Sequence, residues 1–293
     1  RWLSADADIV AFLSTSPGEC LRPPADDAAR QLVEVGRAAF RSPLLFGGPA
    51  ARGRLSCNSC HRDGRDNPDF FLAGLSGAPG TADVTSSLFS AARDDGAFNP
   101  LPIPTLIDAG AKATFGTSKP APTLHEFVAG AVVDEFQGAR PPQAVIDGLA
   151  AYVAHLDGAF CPPAPVRTTP AVAISDARRA LDAAAGALAR GDKATADFLI
   201  VTAQGASGAV HERFAGPGLG AERKRLVLLA REIAAIRPMA ATDTAAAAHR
   251  LARAAARTAD LAAGLNKRRG KSLYGIKALN RAVESSRAGS EPD

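Results

Sequence analysis

The sequence predicts an all-α protein that consists of two helical parts in succession. In the first part, helical segments enclose a long stretch, Arg62 to Pro122, that is rich in Gly, Pro, Asn and Ser and has no sustained periodicity. In the second part the composition shifts to Ala, Arg and Leu, which favours helices. The Pro-rich residues 162–170 between them predict a linker. We therefore expect one domain at residues 1–161 and another at 171–293.

The first part should contain three helices, each indicated by apolar residues at spacings of three and four. The clearest runs from Asp26 to Phe40, and its apolar face includes Gly36. A second runs from Pro142 to Leu156, and a shorter one from Thr123 to Phe136 precedes it. An unstructured stretch as long as Arg62 to Pro122 is unusual in a compact domain. We expect a bound cofactor to replace side chains as the core of that stretch.

The second part should be an antiparallel helical bundle. Four long helical segments are separated by short Gly- or Pro-containing breaks, the last of them at Pro238, and short connections place consecutive helices antiparallel. A short helix from Tyr274 to Val283 follows the bundle. The four long segments are Ile174–Arg190, Ala194–Phe214, Ala221–Arg237 and Thr242–Leu265.

One motif in the first part points to specific chemistry. Cys57, Cys60 and His61 form Cys-x-x-Cys-His, the attachment motif of a c-type haem. The two thiols bond covalently to the haem vinyl groups, and the histidine that follows supplies a ring nitrogen to the iron. We therefore expect one covalent haem c, tethered by Cys57 and Cys60, with His61 as the proximal iron ligand.

Two other interpretations of these cysteines are weaker. A structural zinc site needs four nitrogen or sulfur ligands, and the remaining cysteines, Cys20 and Cys161, stand alone rather than as a second pair. A thioredoxin-like redox pair needs a βαβ context, whereas this motif lies in a turn-rich segment.

The expected location is periplasmic or otherwise exported, because haem c is attached outside the cytoplasm. The chain begins at Arg1 without a methionine, as a mature chain with its secretion signal removed would, and so would a chain trimmed there. No apolar run reaches the roughly 18 residues of a membrane span. In an oxidising compartment we expect Cys20 and Cys161 to form a disulfide. The alternative is two separate buried or reactive thiols.

The landmarks of the first part together resemble the cytochrome c fold. They are Gly36-x-x-x-Phe40, the Cys57-x-x-Cys60-His61 turn and Leu149-x-x-Tyr152-Val153-x-x-Leu156, in that order. With Ile103-Pro104-Thr105-Leu106, the chain more closely resembles the bacterial di-haem cytochrome c peroxidase and MauG-like group, over residues 28 to 160. The resemblance implies that the first and last helices cross at a small residue, with aromatic rings packed over it. Those peroxidases carry two haem motifs and this chain carries one, so a two-haem mechanism within this chain is excluded.

The ligand on the distal side of the iron, opposite His61, would distinguish an electron-transfer protein from an enzyme that reacts at the iron. His125 is a candidate distal ligand by its place before the closing helix, although it could equally lie on the solvent face. Met239, the single methionine, follows Pro238 between two helices and is expected to fill a gap in packing. The resemblance to the peroxidase group places its distal residue near Thr114 to Thr117, where no ligand type is present. The adjacent Asp134 and Glu135 are expected to be solvated.

These observations leave three hypotheses for function. The first is a mono-haem c-type cytochrome in periplasmic electron transfer, whose bundle docks it to a redox protein partner or a larger assembly. The second is a peroxidase-like or small-ligand-binding haem enzyme with an open distal site. The third is a structural role, in which the bundle is the working part and haem only stabilises the attached domain. The net charge is only +4, but Lys267 to Lys271 form a basic cluster that could contact an acidic protein or a membrane surface. No nucleic-acid-binding motif is present.

Overall fold

The structure is a computed structural model and describes residues 2–89, 92–116 and 120–288. It is mostly helical, with four two-residue strands. Among the helices described, none is both long and apolar enough to span a bilayer. In chain order the elements are α1 (Ile9–Ser14), β1 (Thr15–Ser16), α2 (Asp27–Phe40), α3 (Gly48–Arg52), α4 (Cys57–Cys60), β2 (Thr81–Ala82), β3 (Leu101–Pro102), α5 (Leu124–Gly130), α6 (Gln143–Ala154), β4 (Val166–Arg167), α7 (Pro170–Ala189), α8 (Lys193–Arg213), α9 (Gly220–Thr242), α10 (Thr244–Arg268) and α11 (Ile276–Ala288).

The chain forms two compact units that divide within the predicted linker. The first comprises the residues up to Ala7 together with Pro17–Pro165, and the second comprises Asp8–Ser16 and Val166–Asp293. The sequence analysis assigned residues 8–16 to the first domain, and the structure instead places them in the second unit. The reason is a long-range pairing that no local pattern reveals, because β1 pairs antiparallel with β4. The predicted linker is therefore partly ordered as a strand.

The first unit is organised around the crossing of α2 and α6. The Asp26 side chain accepts a hydrogen bond from the backbone N–H of Ala29 and so starts α2 where the sequence predicts a helix. Gly36 of α2 faces Gly148 of α6 so closely that a Cβ on Gly36 would lie 1.8 Å from the Gly148 carbonyl oxygen. This crossing at small residues agrees with the geometry that the resemblance implies.

Aromatic side chains cover the crossing. The rings of Phe40 and Tyr152 lie with their centroids 5.1 Å apart and are almost completely buried. Aromatic pairs at this separation add to the stabilisation that burial alone provides. The predicted arrangement of crossing helices with aromatic packing is therefore confirmed.

The predicted disulfide between Cys20 and Cys161 is present, with the two residues 141 positions apart. It is flanked by backbone hydrogen bonds between the same two segments. Arg22 donates to the carbonyl of His155 at 2.9 Å, and Asp157 donates to the carbonyl of Cys20 at 2.8 Å. The disulfide therefore ties the segment before α2 to the segment after α6.

The stretch between α4 and α5 has little regular structure, as predicted. β2 and β3 form its only described ladder, in which Thr81 pairs with Pro102. Apolar side chains of the stretch are nonetheless buried, including Phe70, Leu75 and Phe89. A π-helical turn, Ala131–Glu135, continues α5, so the predicted helix from Thr123 to Phe136 is confirmed with a change of pitch at its end.

In the second unit, the four long helices form the predicted bundle. Each helix packs against its neighbours in the chain, and α10 closes the arrangement by packing on α7. The facing positions are mostly Ala and Leu, which allows close helix contact. Completely buried members of this core include Ala177, Leu181, Leu199, Ala203, Leu229, Ile233, Leu251 and Ala254.

Two boundaries of the bundle helices differ by four or more residues from the prediction, and the others by three or fewer. The first helix begins at Pro170, four residues early, because the Thr169 side chain caps it and proline is well suited to a first helical position. The predicted break at Pro238 is wrong, since α9 continues through it to Thr242. Tertiary packing maintains the helix through the proline, because Ile236 and Ala240, on either side of it, are both buried in the bundle.

Candidate functional site

Cys57 and Cys60 occupy the ends of α4, a single helical turn that its neighbours fix in place. Ser56 caps the turn, and its backbone N–H donates to the Ser59 hydroxyl at 3.0 Å. The spacing of three residues places both thiols on one side of the turn. Neither cysteine is in a disulfide. The turn therefore carries two free thiols on the same side, where one ligand could react with both.

The ring of His61, immediately after the turn, is oriented by the backbone of another segment. Its Nδ1 lies 3.0 Å from the carbonyl oxygen of Pro104. Because a carbonyl can only accept, Nδ1 carries the proton and Nε2 is left with its lone pair. Burial lowers the pKa of His61 to about 4, against the opposing effects of the Pro104 hydrogen bond and of Asp66. A neutral imidazole with Nε2 as the donor atom is the form that binds a metal.

The residues after His61 hold this geometry in a tight turn. Asp63 adopts a left-handed conformation, with φ of 53°, and its backbone N–H donates to the Asn58 side chain at 2.9 Å. Gly64 follows with φ of 83°, and a Cβ there would lie 2.5 Å from the Leu156 side chain. The turn thus packs directly against the residue that follows the end of α6.

A network of ion pairs joins this turn to α2, α6 and the disulfide. The Arg41 guanidinium contacts both Glu19, at 3.0 Å, and Asp63, at 2.7 Å. Glu19 also pairs with Arg37 and accepts a hydrogen bond from the Tyr152 hydroxyl at 2.8 Å. Burial opposes ionisation of Glu19, but the two guanidinium groups and the hydrogen bonds outweigh it and lower its pKa to about 2.

The pKa values of the two thiols bear on the alternative interpretation of the motif as a redox-active pair. Burial raises the pKa of Cys57 and of Cys60 to about 12, so both are protonated at neutral pH. A redox-active Cys-x-x-Cys pair instead needs a lowered thiol pKa, because the thiolate is the nucleophile. Among the described residues, no three His, Cys, Asp or Glu side chains come together as metal ligands. A haem supplies four nitrogen ligands of its own and needs one from the turn.

The sequence analysis missed a buried charged pair in the first unit, Arg93 with Glu135. Glu135 was expected to be solvated, but it is 6% exposed and pairs with Arg93 at 2.7 Å, whereas the adjacent Asp134 is exposed. The negative charge of Glu135 contributes to the raised pKa of both thiols, after the larger effect of burial. Burial raises the pKa of Glu135 to about 7, although Arg93 opposes the shift. No local pattern predicts this, because the pairing spans 42 residues.

Of two further buried polar atoms near the motif, one suits a haem as partner. The Nε of Arg65 and the Oδ1 of Asn67 are buried and have no hydrogen-bond partner among the described residues. The Asn67 amide nitrogen donates to the carbonyl of Ser59, within α4, at 2.8 Å. A haem carries two propionate groups, and a guanidinium is their natural partner. The donor set of this region therefore fits a haem: two thiols, one neutral imidazole and a guanidinium N–H available to an anion.

The candidate distal ligands lie in different parts of the structure. His125 lies at the start of α5 with its side chain 56% exposed, and its Nε2 is 3.7 Å from Asp147. Met239 lies inside α9 of the second unit rather than in the expected loop. In the segment from Thr114 to Thr117, Phe115 forms an isolated β-bridge with Ala121, and Thr117 lies outside the described residues.

The basic cluster from Lys267 to Lys271 lies at the end of α10 and in the 3₁₀ turn that follows it. Arg268 pairs with Glu222 and donates to the carbonyl of Gly218, so this member of the cluster forms its contacts within the second unit. The chain then forms the helix α11, which begins at Ile276, two residues after the predicted start.

Comparison with protein-family models, with curated protein sequences and with solved structures finds no match to this chain.

Proposed function

We propose that this protein is a mono-haem c-type cytochrome that transfers electrons in the periplasm or another exported compartment. The observation that carries the proposal is the orientation of His61. Its Nδ1 donates to the Pro104 carbonyl, in a segment 43 residues away, so Nε2 is the atom left to bind iron. The same turn presents two protonated thiols at the spacing that haem c requires.

The chain's own residues have distinct roles in this proposal. Cys57 and Cys60 tether the cofactor, and His61 ligates the iron through Nε2. The Pro104 carbonyl fixes the ring and increases the electron donation of the imidazole. Arg41 holds the turn against α2 through Asp63, and the Arg65 guanidinium would bind a propionate. When bound, the haem supplies an iron that changes oxidation state by one electron.

The second unit is proposed to be the docking or assembly domain, with a redox protein as the partner. The size of the bundle supports this proposal. Its four helices have 20 to 25 residues each, which is more structure than haem binding requires. A contact between the basic cluster Lys267–Lys271 and a membrane surface remains a prediction. No role in nucleic-acid binding is proposed.

A peroxidase-like or small-ligand-binding enzyme is the second candidate function. The observation in its favour is that the His125 side chain is 56% exposed, with its Nε2 3.7 Å from Asp147. An open distal position permits binding of peroxide or carbon monoxide. Rapid binding of carbon monoxide by the reduced protein, with turnover of peroxide, would favour this function over electron transfer.

The first test is covalent haem retention. Protein produced in an oxidising compartment with haem-attachment machinery should retain one haem per chain after denaturation, measured by intact mass. The double variant Cys57→Ala with Cys60→Ala should lose it, because both tethers are gone. The double variant Cys20→Ser with Cys161→Ser removes the other two cysteines and leaves both tethers, so it serves as the matched control. Wild-type protein without covalent haem under these conditions, or full retention in the double variant, would overturn the proposal.

A further inference from the structure

Two neighbouring helices of the bundle, α9 and α10, carry an excess of basic side chains that electron transfer at the haem does not require. α10 contains five Lys or Arg residues and a single acidic residue, Asp260. α9 also contains five Lys or Arg residues, with two glutamates, Glu222 and Glu232. An excess of one sign of charge on two adjacent helices produces a positive potential over that side of the bundle.

The two glutamates of α9 are both used in ion pairs with α10. Glu222 pairs with Arg268, with Oε1 3.3 Å from Nε, and Glu232 pairs with Arg257. These pairs lie where the two helices meet, so they neutralise each other and fix the sides of α9 and α10 that adjoin. The charge that remains on the two helices is therefore almost entirely positive.

Six other basic side chains of these helices point into solvent. All six are exposed, and within the part of the chain that the structure describes none of them forms an ion pair. One of them, Arg225, lies beside α10, since a Cβ on Gly264 would be 3.2 Å from its Nη1. We call this set the basic face. Its members are Lys224, Arg225 and Arg231 on α9 and Arg250, Arg253 and Lys267 on α10.

The basic face is long and lacks the usual anchors of a protein interface. From Arg250 to Lys267, α10 extends over about 25 Å at about 1.5 Å per residue. Neither helix contains an aromatic residue, whereas aromatic side chains are enriched among the residues that anchor protein partners. The other exposed side chains are mostly Ala, apart from Leu228, which is 48% exposed. Such a surface fits a continuous layer of negative charge better than the mixed surface of a protein.

We propose that the basic face binds the anionic headgroups of a phospholipid bilayer. Four of its six members are arginines, whose guanidinium groups bind phosphate oxygens through two parallel N–H donors. The small Ala side chains between them allow the helices to approach the headgroups closely, while the long Arg and Lys side chains reach the phosphates. This inference goes beyond electron transfer and depends on the bundle alone, so it stands or falls independently of the haem.

Co-sedimentation of the full chain with lipid vesicles measures this binding. Vesicles of phosphatidylcholine with about 30% phosphatidylglycerol are the anionic probe, and vesicles of phosphatidylcholine alone are the neutral probe. We expect the protein to bind the anionic vesicles and not the neutral ones at low salt. Binding should weaken as salt is added, because the Debye length falls from about 30 Å at about 0.01 M to about 10 Å at about 0.1 M.

Two double variants locate the binding site. Arg250→Gln with Arg253→Gln should weaken binding about 30-fold, because each basic residue near an anionic surface contributes about 1 kcal/mol and about 1.4 kcal/mol is a factor of ten. Arg178→Gln with Arg190→Gln is the matched control, since it removes the same charge from exposed positions on α7 and at its end. This control should bind the anionic vesicles as the wild type does.

Three results would overturn the inference. The first is equal weakening by the two double variants, which would mean that net charge rather than the basic face determines binding. The second is equal binding of the wild type to anionic and neutral vesicles. The third is no binding to anionic vesicles at low salt, and binding of soluble polyglutamate in its place would identify an acidic protein as the class of partner.

Discussion

Gly36 and Gly148 meet so closely at the crossing of α2 and α6 that neither position has space for a methyl group. A Cβ on Gly148 would lie 2.7 Å from the backbone nitrogen of Gly36, and the reciprocal Cβ would overlap a carbonyl oxygen. Because both obstacles are backbone atoms, the helices would have to separate. The crossing in turn positions the turn of Cys57 to Gly64, since Gly64 packs against Leu156 just beyond α6.

Gly36→Ala should therefore destabilise the first unit by about 3 kcal/mol, because overpacking outweighs the higher helix propensity of alanine. Denaturant unfolding followed by ellipticity and by haem absorbance would measure the loss. Gly205→Ala is the matched control, since a Cβ there meets no atom within 4 Å on α8. That change should stabilise the second unit by about 0.5–1 kcal/mol. Equal effects of the two substitutions would contradict the role of close approach.

Glu19 should make the stability of the first unit depend on pH in the acid range. Its pKa in the folded protein, about 2, is below the usual value of 4.5, so its stabilising effect is complete above about pH 4.5. The effect is lost as the pH falls through 2, and its full size is about 3 kcal/mol. Glu19→Gln should remove this dependence, as measured by unfolding at a series of pH values.

Asp27→Asn is the control for that experiment. Asp27 is the first residue of α2 and belongs to the same unit as Glu19, but its side chain is 95% exposed, so its ion pair with Arg30 is screened by solvent. The acid dependence of this variant should match that of the wild type. A similar loss of dependence in both variants would mean that the buried network around Glu19 is not its source.

Removal of the Cys20–Cys161 disulfide should destabilise the first unit by about 2–4 kcal/mol, since it closes a loop of 141 residues in the unfolded chain. The double variant Cys20→Ser with Cys161→Ser should show this loss in denaturant unfolding while it keeps covalent haem. Peptide mapping without reductant should recover the two cysteines as one cross-linked pair. Recovery of both as free thiols from an oxidising compartment would refute the disulfide.

Pro238→Ala should stabilise the second unit by about 1–3 kcal/mol. Pro238 is exposed and lies inside α9, where proline lacks the N–H that would continue the helix ladder. Alanine restores that donor without a change in the buried face. Thermal unfolding of the bundle would measure the gain. A loss of stability would show that the proline sets a bend which the packing of Ile236 and Ala240 requires.

His125→Ala should leave the spin state of the ferric haem unchanged. The structure holds His125 at the surface, where its side chain is 56% exposed and its Nε2 lies 3.7 Å from Asp147. A ferric spectrum that changes from low-spin to high-spin in this variant would instead identify His125 as the distal ligand. An unchanged high-spin spectrum would make carbon monoxide and peroxide binding the next measurements.

The sequence by itself determined the elements and their chemistry. Periodicity identified each long helix, because amphipathic faces repeat every three to four residues regardless of the final fold. The motif from Cys57 to His61 is contiguous, so its chemistry could be predicted directly from the residue types. The disulfide between Cys20 and Cys161 was predicted because each cysteine stands at an edge of the same domain.

Only the tertiary structure decided which distant segments meet. The Pro104 carbonyl that orients His61, the burial of Glu135 against Arg93 and the pairing of Thr15–Ser16 with Val166–Arg167 all join residues more than 40 positions apart. Local sequence carries no signal for such contacts. Pro238 shows the same limit, because a proline predicts a helix break locally, whereas the buried contacts of its neighbours maintain the helix. Burial and long-range hydrogen bonding are properties of the assembled fold, so the charge state of the candidate site becomes evident only there.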